Sequence, residues 1–201
     1  MAGTKRAVQE ALEAKIVQFT LEGASPLIMH SPRGMRAASE PELGRKTIPL
    51  PDEEAEAGAY RLPDGALCFP AVGVRNCILK AAVGIRLGKK AAQPYFAASL
   101  LPADMMFPLT NAEGEPLREY VVDIQRAVVQ RQGIMRARPR IDPPWFLVCT
   151  FRWGGLISQD QLRETINVAG NVVGIGDYRI ERKGWFGQFR LHNLRFSAER
   201  A

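Results

Sequence analysis

The chain has 201 residues, 46% of them hydrophobic, with a formal net charge of +6. That length and composition suit one globular domain with elaborations around a real core. No apolar run approaches the roughly 20 residues that span a bilayer. The basic start, Met1 to Arg6, runs into a polar, Ala-rich stretch, so neither a membrane partner nor a secretory signal is expected, and the expected compartment is the cytoplasm. The three cysteines, Cys68, Cys77 and Cys149, lie in apolar runs at no ligand spacing and read as buried free thiols. The two histidines, His30 and His192, have no partner one helical turn away, so no metal and no cofactor are expected.

Residues 1–13 read as a short helix or leader. From Lys15 to Glu22 apolar and polar residues alternate, and Val17, Phe19 and Leu21 share one face, as in a strand. Gly23 to Pro26 ends it. Pro32, Gly34, Pro41, Gly44 and Pro49 break up the next stretch, so residues 24–51 read as a long insert. Asp52 to Ala59 reads as a short acidic helix, its carboxylates complementing the helix dipole. Tyr60 to Phe69 reads as a hairpin turning at Asp64 and Gly65. The spacing of Val74, Ile78, Ala81 and Ile85 predicts a helix over 70–87, and Lys89 to Leu101 a weaker one. Residues 101–120 read as a second insert. Leu117 to Asp123 and Ala127 to Ile141 read as strands, Pro143 and Pro144 break the chain, and Trp145 to Trp153 reads as a further strand.

Ser158 and Gln161 form a capping box for a helix with Leu162, Ile166, Ala169 and Val173 on one side, which Gly174 stops. Gln188 to Phe196 reads as the last strand. The order matches a β-α-β-β-α-β core. The expectation is a single α+β domain over 1–201, ferredoxin-like or RRM-like: an antiparallel sheet with two helices on one face and long loop insertions. The other face is where RRM-like domains hold single-stranded RNA.

Clustered charge marks the candidate binding surfaces. The tail places Gly174 and Gly176, then Gly184 and Gly187, around a basic insert of Arg179, Arg182 and Lys183. Glycine allows positive φ and close approach. Main-chain N–H groups with Arg and Lys suit phosphate oxygens, and Trp185 and Phe186 offer a stacking surface for a base. Arg136, Arg138 and Arg140 alternate, which in a strand puts their guanidiniums on one face. A polyanion would relieve their repulsion; alternatively the row is a solvated edge guarded against aggregation. Arg126 and Arg131 extend this basic region. In the first insert His30 sits with Arg33 and Arg36. A neutral imidazole can take a proton from an RNA 2′-OH and an Arg can stabilise the charged transition state, or His30 is structural. Asp52, Glu53, Glu54 and Glu56 lack the spacing of a calcium loop. They read as a solvated helix start able to dock the basic face of a second copy.

Gly174 to Arg179 together with Gly184 to Phe189 is similar to the C-terminal G-loop of the RAMP superfamily, whose members build CRISPR effector complexes. Phe69 to Lys80 resembles the start of the first helix in the crRNA-binding backbone subunits, with Arg75 where a basic residue faces the guide. Ile157 to Gly170 resembles the helix that leads into the G-loop. The resemblance covers roughly residues 69–190. It implies an RRM-like palm in a non-catalytic subunit that binds single-stranded RNA of the crRNA type, oligomerises along it and joins other subunits of a ribonucleoprotein complex. The small size fits a homologue from a phage or another mobile element. Other RAMP proteins process crRNA, often with a His in the N-terminal half, so a metal-independent RNA endonuclease using His30 is an alternative. A phage-type structural or assembly protein is a third. Nothing in the sequence reads a 2′-OH, so single-stranded DNA stays open as the ligand.

Overall fold

Alternation along the first strand sets the main sheet. The computed structural model describes residues 15–32, 50–129 and 132–198. The leader 1–13 and the candidate residues Arg33, Arg36 and Arg131 lie outside them. β1 (Lys15–Gly23) buries Val17, Phe19 and Leu21 as its alternation predicts. It is flanked on one side by β10 (Phe146–Trp153) and on the other by β11 (Phe189–Ala198), both antiparallel. The sheet continues from β10 through β7 (Met106–Thr110) to β3 (Cys68–Pro70), and β6 (Leu100–Pro102) also pairs with β10.

Two helices cover one face. α2 (Ala71–Ala81) and α4 (Gln159–Val168) bring Val74, Ile78, Leu162 and Ile166 into one core with Val17, Phe19 and Leu21. Phe151 stacks on Phe19 at 5.5 Å and meets the edge of Phe107 at 5.3 Å. Each such buried side chain stabilises the fold by about 1.5–3 kcal/mol. This is the expected α+β class with a ferredoxin-like core, built on antiparallel sheets.

The capping box of α4 forms as read: the Gln161 N–H donates to Ser158 Oγ at 3.1 Å, and the Ser158 N–H donates to Gln161 Oε1 at 2.8 Å. After Val168 the helix widens into a π turn over Ala169–Val173, and Gly174 ends it at φ +73°. α2 stops sooner than its apolar spacing predicts. It tightens into a 3₁₀ turn, Ala82–Gly84, and Ile85 is already extended. The small hairpin of β4 (Arg86–Leu87) and β5 (Lys90–Ala91) comes next, turning at Gly88 with φ +62°. α3 (Gln93–Ser99) is a shortened version of the weak helix predicted over this region.

An arm is added to this core. β8 (Val121–Val129) and β9 (Gln132–Ile141) form one long hairpin, and β2 (Leu27–Ile28) pairs with the end of β9. The acidic helix α1 (Pro51–Gly58) packs on this hairpin, where Gly58 lies against Pro139. The arm leaves the chain between β7 and β10, and the segment 101–120 contributes β7 to the main sheet. All three cysteines are buried and free, as expected. Burial pushes the Cys68 thiol up to about 11 and Cys77 up to about 12.

Candidate nucleic-acid interface

The β8–β9 register places Arg136 opposite Gln125, Arg138 opposite Asp123 and Arg140 opposite Val121, so the three guanidiniums share one face. They do not stand bare. Arg136 Nη1 lies 2.7 Å from Glu54 Oε1, Arg138 Nε lies 3.0 Å from Asp177 Oδ2, and Arg140 lies 2.8 Å from Asp123 and 2.9 Å from Asp142. The repulsion that pointed to a polyanion is therefore relieved within the chain. Two of the acids, Glu54 and Asp177, come from elements remote in sequence. Arg138 is only 8% exposed and sits 5.2 Å from the centre of the Tyr178 ring. Its Nε has no hydrogen-bond partner, so its contact with Asp177 is an ion pair outside hydrogen-bond geometry. The Asp142 and Asp123 carboxylates hold Arg140 still more firmly protonated than usual. The row fastens the arm to α1 and to the glycine-rich loop.

The loop's glycines have a different use from the one its sequence suggests. Gly174, Gly176 and Gly187 adopt positive φ. At Gly184 a Cβ would overlap the Tyr178 carbonyl, and at Gly187 it would overlap that of Ile175. These approaches let the loop fold onto itself and onto β2. The N–H groups expected to meet phosphates are largely used inside: Ile175 N–H donates to Gly187 O at 3.0 Å, Asp177 to Ile28 O at 2.9 Å, Gly184 to Arg179 O at 3.1 Å and Gly187 to Pro26 O at 2.8 Å. Phe186 is buried, whereas Trp185 is 66% exposed with its ring 5.4 Å from that of Phe186. Only Trp185 of the pair is free to stack. Arg179 meets Glu181 at 2.9 Å, and Lys80 is paired to the same carboxylate. Hydrogen bonding from Lys80 holds Glu181 below the usual carboxylate range despite partial desolvation. Arg182 and Lys183 are exposed with no acidic partner among the described residues.

Arg75 does not reach outward as the resemblance implied. Its Nε and Nη2 donate to the Leu100 and Ala97 carbonyls, each at 2.7 Å. It thereby joins α2 to the last turn of α3 and the start of β6, beside the Gly154 N–H that donates to Ser99 O at 3.0 Å.

A cleft of about 380 Å³ opens between α2 and the glycine-rich loop. His30, Asn76, Lys80, Asp177 and Arg179 supply its polar lining, and Tyr60 and Phe69 supply an aromatic wall. Those two rings meet edge-on at 6.2 Å. His30 Nδ1 lies 3.6 Å from Asp177 Oδ2. The His30 ring, and Arg138 behind it, hold the Asp177 carboxyl below the usual range against the effect of burial. Asn76 and Lys80 were not among the sequence candidates. Their i, i+4 spacing on the polar side of the predicted helix is the signal that marks them. The open face of the main sheet presents Gln18, Thr150, Arg195 and Phe146, the last edge-on to His192 at 5.3 Å.

No protein-family model matches the chain, and no curated protein matches it. A chain in the cryo-EM structure of Type III-B Cmr-beta bound to cognate target RNA superposes on it with a TM-score of 0.58 at 13% identity. The fold resembles that of this Cmr-beta chain. The match covers 98% of this chain and 65% of that one, so this chain spans under two thirds of its relative's length. This likeness of fold agrees with the resemblance drawn from the sequence. Among the described residues no helix is long and apolar enough to cross a membrane.

Proposed function

We propose that the chain is a non-catalytic RNA-binding subunit of a CRISPR-type ribonucleoprotein, holding single-stranded RNA and self-associating along it. One juxtaposition carries the reading. The cleft lined by His30, Asn76, Lys80, Asp177 and Arg179 lies beside a loop that presents exposed Trp185 with Arg182 and Lys183, which have no acidic partner among the described residues. Cations without internal partners suit phosphates, and an exposed indole suits a base whatever its identity. Arg136 and Arg140, partly exposed at the arm, would rim the path. The likeness to a chain from a complex bound to target RNA supports the same class of ligand.

Fluorescence anisotropy with labelled single-stranded RNA and the matching DNA, across a salt series, tests this. The expected result is tighter binding to RNA, with log K falling by about 0.7 per phosphate contact for each tenfold rise in salt. No binding to either strand at low salt overturns it.

A second reading has its own observation. His30 faces the cleft, and Asp177 beside Nδ1 favours the tautomer that leaves Nε2 free to accept a proton. In that reading Nε2 takes the 2′-OH proton, O2′ attacks the adjacent phosphorus and the bond to O5′ breaks. Lys80 and Arg179 would face the developing charge. It requires cleavage in EDTA that leaves a 2′,3′-cyclic phosphate and disappears in His30→Ala. Intact RNA after prolonged incubation rejects it.

A further inference from the structure

Many cations of this fold are already engaged: Arg61, Lys80, Arg118, Arg179 and Arg190 each meet a carboxylate, as the arginines of the arm do. The β4–β5 hairpin is different. Arg86, Lys89 and Lys90 are all exposed, and none has an acidic partner among the described residues. The hairpin is nevertheless held in place. Leu87 packs against the core, Ala92 beyond the hairpin is buried, and the Ala92 N–H closes its base by donating to Ile85 O at 3.0 Å.

Its position is set by α2. Gly73, Asn76 and Lys80 line the cleft along one side of that helix, and the hairpin begins just past the helix's last turn. The Lys80–Glu181 pair pins the loop bearing Arg182 and Lys183 against the same turn. Two groups of cations, unpartnered among the described residues, thus gather at one end of α2. Between cleft and hairpin the surface is open among the described residues: Val83 is 61% exposed, and none of them lies within 4 Å of where a Gly84 Cβ would stand, chain neighbours aside.

We infer that Arg86, Lys89 and Lys90 form a second phosphate-binding surface, together with Arg182 and Lys183, for the sugar-phosphate backbone of a strand leaving the cleft past the end of α2. This rests on the RNA-binding reading above. The competing use of such residues, guarding a short exposed strand edge against pairing, requires no ligand.

The test compares oligouridylates of about 4 and about 16 nucleotides on the unaltered chain and on Arg86→Ala/Lys89→Ala/Lys90→Ala. The short strand is expected to bind both proteins alike. The long strand is expected to lose tenfold or more in affinity, with a salt slope shallower by about 0.7 for each contact removed. Lys89→Arg/Lys90→Arg keeps the charge and is expected to keep long-strand binding, which separates lost charge from lost folding. Equal binding of the long strand by the unaltered and triple-Ala proteins overturns this inference and leaves the RNA-binding reading intact. Failure of the unaltered chain to bind either strand overturns both.

Discussion

Replacing Asp177 with Ala tests the junction between the arm and the glycine-rich loop. The carboxylate lies 3.0 Å from Arg138 Nε, and the two side chains are 31% and 10% exposed. Stripping one partner from a fully buried pair costs about 3–5 kcal/mol, whereas an exposed pair contributes about 0–1 kcal/mol. This pair lies between those limits, so Asp177→Ala is expected to cost about 2–3 kcal/mol by interpolation. With a urea m-value of about 2–3 kcal/mol/M, the midpoint should fall by about 1 M. Arg138→Met and the double variant complete a cycle, with a coupling energy of at least about 1 kcal/mol expected. The sign with pH is fixed by the lowered Asp177 pKa: the contribution is fully present above the ordinary value of 3.8 and is lost as pH falls through the lower folded value. The gap between wild type and Asp177→Ala should therefore persist at neutral pH and close only in acid. A midpoint change under about 0.2 M, with coupling below about 0.3 kcal/mol, would refute the claim that this pair latches the arm.

Gly184→Ala places a methyl group against the Tyr178 carbonyl, so it is expected to destabilise by at least about 1 kcal/mol, seen as a lower urea midpoint. Trp185→Ala removes a side chain that is 66% exposed; stability should stay within about 0.5 kcal/mol while RNA affinity drops by about 1–3 kcal/mol. Unchanged affinity would remove Trp185 from the binding surface. Thiol labelling of the native chain near pH 8 should be slow at every cysteine, because burial disfavours the thiolates and raises Cys68 to about 11 and Cys77 to about 12. Rapid labelling without denaturant would show that the core opens around them.

Local periodicity by itself determined much of this protein. The alternation of Val17, Phe19 and Leu21, the capping box at Ser158, the one-sided row from Arg136 to Arg140 and the burial of the cysteines all depend on residues a few positions apart, where chain geometry allows few arrangements. The short strands β3 and β6 and the early end of α2 escaped that logic, because pairing partners from elsewhere in the chain decide them. The same holds for the candidate site. That Arg136, Arg138 and Arg140 repel was legible; that Glu54 and Asp177 would arrive to neutralise two of them was not. The glycines of the loop were legible, but only the folded chain directed its N–H groups inward and closed Arg75 over the carbonyls of Ala97 in α3 and Leu100 in β6. Charge and hydrogen bonding act through space, so the cations and donors left over for a ligand are known only after the tertiary structure has claimed the rest.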